Sequence, residues 1–327
     1  MADFGTDFWA GCRIGVVGTG RVARALALAL ALADPAGKPV GIWGRDAARR
    51  DAAVAAVGGQ GAETLAALVA RCDIVALAVA DDALDRVVDD LSSAVRPGSF
   101  VFHVSGRSGA GVLRPLAQRG AMTAAIHPAM TFTGDPVTEV ARMAGARFAT
   151  TAPDAAADAW AQALVRRVGG VPVPVAEAHR ALYHAALSHA ANHLVTLIAG
   201  ARDALAAAGV DDPGALLAPL TRAALDNGLD RGMGALSGPL LRGDAGTVAD
   251  HLAALERDCP RLLPAYRAMA RATLDALEDG GGGGRSDIVS LLDGGELNVE
   301  APSRSGTSAS SGGGQCGRRQ PSAPVGS

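Results

Sequence analysis

A short apolar run, Arg13 to Val17, leads without a gap into Gly18-Thr19-Gly20-Arg21-Val22-Ala23 and then into an Ala/Leu stretch from Ala25 to Ala33. Strand, glycine turn and helix in that order open a βαβ unit whose turn takes a dinucleotide. Gly18 permits the tight turn, Gly20 lets backbone N–H groups approach a pyrophosphate, and Ala23 allows the helix to pack close to the sheet. The helix N-terminus then faces an anion with its positive dipole end. Gly18, Thr19, Gly20, Arg21 and Val22 are therefore the expected cofactor contacts of the first turn. The apolar run Ala25 to Ala33 is far shorter than the roughly 20 residues that span a bilayer, so it reads as a buried helix.

From Arg13 to about residue 176, short apolar runs alternate with helical stretches, the pattern of a parallel sheet covered on both faces. Strands are expected at Arg13–Val17, Pro39–Trp43, Asp73–Val79, Ser99–Val104, Met122–Ile126, Arg147–Thr151 and Val171–Val175. Near Ala176 the strand signals stop. From Glu177 to about Asp279 the pattern is helical, broken at Asp211-Asp212-Pro213, Ser237-Gly238-Pro239 and Cys259-Pro260. The first of these helices, about Glu177 to Ala208, would be roughly 45 Å long. From Gly280 the chain becomes Gly/Ser/Pro-rich and too poor in large apolar groups to offset its ordering entropy, although Asp287 to Leu292 has the pattern of a short docking helix. The expected fold is α/β: a Rossmann-type, mostly parallel sheet at 12–176, an all-α substrate and dimerisation domain at 177–279, and a disordered tail at 280–327.

A length of 327 residues with 49% apolar content leaves room for two cores. A net charge of -3 lacks the basic footprint of nucleic-acid binding and favours a small-molecule partner. Cys12, Cys72, Cys259 and Cys316 lack metal or redox spacing and read as reduced thiols of a cytoplasmic protein. Asp3 and Asp7 stand where a secretory signal would carry basic residues.

The end of the second strand selects the cofactor, because an acid there would bind the ribose hydroxyls and repel a 2′-phosphate. The sequence reads Trp43-Gly44-Arg45-Asp46. Arg45 suits a 2′-phosphate and points to NADP(H), while Asp46 suits a helix N-cap. Ligands of open parallel sheets lie outside the carboxyl ends of the strands, so the loops there carry the remaining candidates. After the third expected strand, Ala80 and Asp81 are candidate cofactor contacts, with Asp81 and Asp82 equally suited to capping the next helix. Further on, Ser105 follows a strand end and His127-Pro128 closes another.

On the long helix His184, Ser188 and Asn192 recur four residues apart and form a polar stripe on an Ala/Leu surface. Such a stripe needs partners, either a substrate's polar groups or a seam between helices. His189 and His193 share another face, but with no Glu between them and no third ligand they do not read as a metal site. Asp244, in Arg242-Gly243-Asp244, reads as a helix start.

Taken together, GTGRVA, Ser105-Gly106, His127-Pro128 with Phe132, Tyr183-His184-Ala185-Ala186, Asn192, and Ser237-Gly238-Pro239 before Arg242-Gly243-Asp244 resemble the bacterial Rossmann-like proteins whose helical C-terminal domain has been catalogued as of unknown function. That family is a relative of the 6-phosphogluconate dehydrogenase, pyrroline-5-carboxylate reductase and ketopantoate reductase superfamily, and some members resemble the alternative, PanG-type ketopantoate reductase. The resemblance implies NADPH-dependent reduction of 2-dehydropantoate to pantoate. Another small oxo acid, a cyclic imine, or a non-catalytic NADP-binding sensor are the competing expectations. The chain departs from classical ketopantoate reductases in one respect: its single lysine, Lys38, precedes the second strand and cannot serve as their catalytic lysine. Asn192 is then expected to hold the carbonyl oxygen, His184 or His127 to supply the proton, and Ser105 and Ser188 to orient the carboxylate.

Overall fold

The computed structural model describes residues 11–279 and 285–295. Its elements run β1 (Ile14–Val17), α1 (Arg21–Ala33), β2 (Gly41–Trp43), α2 (Ala47–Val57), β3 (Gln60–Gly61), α3 (Leu65–Val69), β4 (Ile74–Leu77), α4 (Leu84–Leu91), β5 (Phe100–His103), α5 (Arg114–Ala117), β6 (Met122–Pro128), α6 (Pro136–Met143), β7 (Arg147–Thr151), α7 (Ala155–Arg167) and β8 (Val171–Pro174). Six helices follow: α8 (Arg180–Ala207), α9 (Pro213–Arg231), α10 (Pro239–Arg242), α11 (Ala245–Asp258), α12 (Leu263–Asp279) and α13 (Ser286–Leu292).

The strands form one eight-stranded sheet in the order β3-β2-β1-β4-β5-β6-β7-β8, parallel except where β7 runs against β6. The seven strands expected from sequence are all present. The additional one, β3, is a two-residue edge too short to leave a periodic signal. At the other edge β8 carries Pro172 and Pro174, which an edge strand tolerates. Side chains alternate between two cores. Val16, Ile74, Ala76, Phe100 and Phe102 pack with α1 and α7 on one face, while Val17, Val75, Leu77 and Val101 pack with α3, α4 and α5 on the other. Burial on both faces explains the continuous apolar runs that marked these strands in the sequence.

Two compact units divide the chain, Met1–Leu197 and Ile198–Ser327, with the division inside α8. In the second unit the expected breaks hold. Asp212 caps α9 through Ala215 N–H, Pro239 opens α10, Asp244 caps α11 through Thr247 N–H at 3.0 Å, and Cys259 ends α11. Its core is Val248, Leu252, Ala270 and Leu274 together with Ile288, Leu291 and Leu292 of α13. The stretch from Gly280 expected to be disordered is ordered at 285–295, where the docking-helix pattern of Asp287 to Leu292 forms α13. Three apolar residues on one face of α13 bury themselves, and Arg271 pairs with Asp293 at 2.6 Å. The rest of the expected disordered tail, 280–284 and 296–327 with Cys316, lies outside the described residues.

Candidate active site

Gly18 has φ +131°, and its N–H donates to Trp43 O at 2.9 Å. A Cβ there would lie 2.2 Å from Ala78 O, so only glycine lets β1, β2 and β4 converge at this turn. Gly20 is the N-cap of α1 and has open space where a side chain would be. No side chain caps α1 and its first turn holds no acid, which leaves its N–H groups for an anion. Arg21 is exposed and donates to Phe132 O at 3.3 Å. The Thr19 methyl lies so close to Gly44 that a Cβ on Gly44 would sit 2.5 Å from it, while Val22 sits in the first turn of α1, partly buried.

Asp46 caps α2 through Arg49 N–H at 2.9 Å, as its position in the sequence suggested. Arg45 beside it is exposed and makes no hydrogen bond or ion pair among the described residues, whereas Arg50 is held by Asp51 and Ala62 O. The turn fits a dinucleotide: bare backbone donors, no acid, Arg21 in the helix's first turn, and Arg45 two residues beyond the carbonyl that Gly18 binds.

The expected capping by Asp81 and Asp82 does not occur. The turn after β4 is a 3-10 helix whose N-cap is Ala80 and which has no side-chain cap, because Asp81 instead pairs with Arg107 at 3.5 Å. That ion pair ties the loop after β4 to the loop after β5.

The second half of the site gathers at the ends of β5 and β6. His103, fully buried, donates from Nε2 to Gly109 O at 2.8 Å and accepts Ser105 N–H on Nδ1 at 3.1 Å. Burial pushes its pKa down to about 4, so it is a neutral strut of the loop. Ser105 is buried as well, and its Oγ accepts Ser108 N–H at 3.3 Å. His127 Nδ1 is hydrogen-bonded to Tyr183 Oη at 2.9 Å, and the His127 ring meets that of His184 edge-on with centroids 6.3 Å apart. Gly106 lies between the histidines. A Cβ on it would sit 2.5 Å from His184 Cδ2 and 3.0 Å from His127 Nε2. Burial first, then the charge of Arg180 and the nearby His184, lower the His127 pKa to about 4.

The start of α8 is bolted to this loop. Arg180, 1% exposed, donates to the carbonyls of Ser108, Ser105 and Ala149 at 2.9, 2.7 and 3.4 Å, and Glu177 accepts Ala110 and Gly111 N–H at 2.8 and 3.1 Å. Thus the fold brings His127, His184 and the Ser105-Gly106 loop together. Ser188 and Asn192, about 6 and 12 Å further along the helix, make no hydrogen bond to that cluster among the described residues, Ser188 half-buried and Asn192 exposed. His189 and His193 face away as an exposed pair, 3.0 Å between Nδ1 atoms. Sequence reasoning missed His103, Glu177, Arg180 and Tyr183 as site-building residues. Their only local signal was position, His103 as the last residue of a strand and the others around the start of the long helix.

Two family models match the chain, a Rossmann-like domain over residues 8–128 and a Domain of unknown function (DUF2520) over residues 146–273. The chain joins a Rossmann-like domain to a DUF2520 domain. Among solved structures, the chain is similar to protein BF3122 of Bacteroides fragilis, with a TM-score of 0.68 at 18% identity over 81% of this chain and 98% of that one. A reductive aminase from Aspergillus terreus, solved with NADPH and ethyl levulinate, gives 0.60 at 19% identity over 86% and 99%. An imine reductase from Myxococcus stipitatus, solved with NADP+, gives 0.59 at 20% identity over 86% and 99%. At these identities the likeness is one of fold. No curated protein sequence matches the chain. Among the described residues no helix is long and apolar enough to cross a membrane.

Proposed function

We propose that this DUF2520 protein is a cytoplasmic NADPH-dependent reductase of a small 2-oxo acid, with 2-dehydropantoate as the substrate that its family resemblance favours. The observation that carries the reading is the pairing, on one sheet, of an anion-ready glycine turn next to the unengaged Arg45 with a cluster of His127, His184 and Gly106 at neighbouring strand ends. The names of the similar structures, solved with NADPH or NADP+, support the same cofactor. In this scheme Gly18, Thr19, Gly20, Arg21 and Val22 hold the pyrophosphate, Arg45 the 2′-phosphate, and Ala80 and Asp81 line the far side.

NADPH, when bound, supplies hydride. The protein's residues hold the carbonyl and provide a proton: Asn192 bonds the carbonyl oxygen, Ser188 orients the carboxylate, Ser105 holds the loop it belongs to, and the proton comes from the His127–His184 pair. Lysine chemistry is closed to this chain, because Lys38 Nζ donates to Gly11 O at 2.8 Å at the start of β2, the opposite end of the sheet from the turn. That absence, with the similar imine reductase, favours a cyclic imine as the second reading. Oxidation of NADPH followed at its absorbance over a panel of oxo acids and cyclic imines separates the two. Rescue of a pantothenate auxotroph tests the first directly. Tight NADPH binding with no turnover on the panel and no rescue makes the chain a sensor.

The protein is further proposed to work as a homodimer. Leu182 and Val195 on α8 are 71% and 68% exposed, and Leu220 and Leu229 on α9 are 66% and 77% exposed, large apolar side chains that a second copy of the chain would cover. Sedimentation equilibrium of the full chain measures this.

A further inference from the structure

Arg180 is a buried cation without an ion pair among the described residues. Its donors reach only carbonyl oxygens, and its guanidinium carbon lies 5.5 Å from the centre of the Tyr183 ring. A guanidinium taken out of water and hydrogen-bonded only to carbonyls acts through its field on its neighbours, Tyr183 and Glu177 among them. Tyr183 Oη is 2.9 Å from His127 Nδ1, while Nε2 of the same ring faces the bare Cα of Gly106, 3.0 Å from where a Cβ would be. A phenol donating to Nδ1 leaves the imidazole proton on Nε2, on the side that Gly106 opens.

We infer that Tyr183 and His127 form a two-proton relay whose outlet is His127 Nε2 above Gly106, with Arg180 as the counter-charge that receives the tyrosinate. The inference rests on the reductase reading. NADPH, when bound, would supply hydride to the substrate's carbonyl carbon, and the oxygen, gaining the π pair, would bond the proton of Nε2. The nitrogen keeps the N–H electron pair, Nδ1 bonds the proton of Tyr183 Oη, and the phenolate left behind is held near the Arg180 guanidinium until solvent reprotonates Nε2 and Nδ1 returns its proton to Oη. The donor is thus a neutral imidazole refilled by a phenol, and no imidazolium is required. His127 is kept neutral by burial, by Arg180, and by the neighbouring His184 and His103, against the opposing pull of Asp81. Tyr183 acts through His127, and it and Arg180 are positioning residues of this relay.

The test uses the full chain as wild type, Tyr183→Phe, Arg180→Lys and Arg180→Met, with melting curves to confirm folding. Nitrogen-15 NMR of the imidazoles in cofactor-free protein should show His127 neutral from pH 5 to 8, protonated on Nε2, with its Nδ1 resonance moved by Tyr183→Phe. Arg180→Met should raise its pKa by about one unit or more, with Arg180→Lys restoring most of the difference. In turnover, Tyr183→Phe should lower kcat by roughly 10- to 100-fold with cofactor affinity unchanged, and the wild-type rate should hold across pH 7 instead of falling above 6.5. An imidazole protonated on Nδ1, a His127 pKa near 6.5, or an unchanged kcat in Tyr183→Phe overturns the relay while leaving the reductase standing. A wild-type protein that turns over no member of the panel overturns the reductase reading and the relay with it.

Discussion

The glycine turn after β1 and the histidine cluster after β5 and β6 are built in opposite ways. The turn is made of backbone: Gly18 and Gly20 contribute by having no side chain, and its donors are N–H groups. The cluster is made of side chains from three separated segments, with Arg180 and His103 spending their hydrogen bonds on main-chain carbonyls and an N–H to hold Ser105-Gly106 still. A backbone site is specified where the chain turns, whereas a side-chain site is specified only where distant segments meet. The first suits a feature common to all dinucleotides, and the second suits a reaction.

Gly18→Ala should have the largest effect. It forces an L side chain into φ +131° and against Ala78 O, at a cost of about 3 kcal/mol or more, and should abolish cofactor binding as read by NADPH fluorescence. Retention of binding would show that the turn is less dependent on its bare backbone than the comparison holds. Gly106→Ala should do the converse, pushing His184 and His127 aside and lowering kcat by roughly 10- to 100-fold while leaving NADPH affinity intact; if affinity falls as steeply, the two regions are not separate.

Acid tests the cluster as a whole. The folded pKa values of His103 and His127, each about 4, lie below the ordinary 6.5, so the unfolded chain takes up protons first. Stability contributed by the two neutral rings is therefore complete above pH 6.5 and falls as pH drops toward 4, by about 1.4 kcal/mol per pH unit for each ring at most. Denaturant midpoints between pH 7 and 4 should show that slope, and His127→Gln should remove part of it. Arg45→Ala should weaken NADPH binding by roughly 10-fold while leaving NADH nearly unchanged, measured as paired dissociation constants. Asp46→Ala should change only stability, by about 1 kcal/mol, with both cofactor affinities untouched.

Much of the fold was legible because its signals are local. Seven of the eight strands, the caps Asp46 and Asp244, and the breaks before α9 and α10 at prolines follow from periodicity and cap chemistry within a few residues. The misreadings were tertiary. Asp81 looks like a cap until Arg107 of another loop claims its carboxylate. Residues 287–292 have the pattern of a docking helix but no visible partner until Ile288, Leu291 and Leu292 find a core on α11 and α12. The polar stripe on α8 reads as one unit, and its first member, His184, is the one that packs against the histidine cluster.

By itself the sequence determined the glycine turn, the Arg45 that bears on cofactor choice, and the absence of a lysine from every helix of the C-terminal half, because each is a matter of which residue stands at one place in the chain. Only the tertiary structure decided that Arg180 is buried and bonded to main-chain carbonyls, that His127 meets Tyr183, and that Gly106 leaves room between two imidazoles. Desolvation and charge proximity set those properties, and both depend on which segments the folded sheet and α8 bring within a few ångströms.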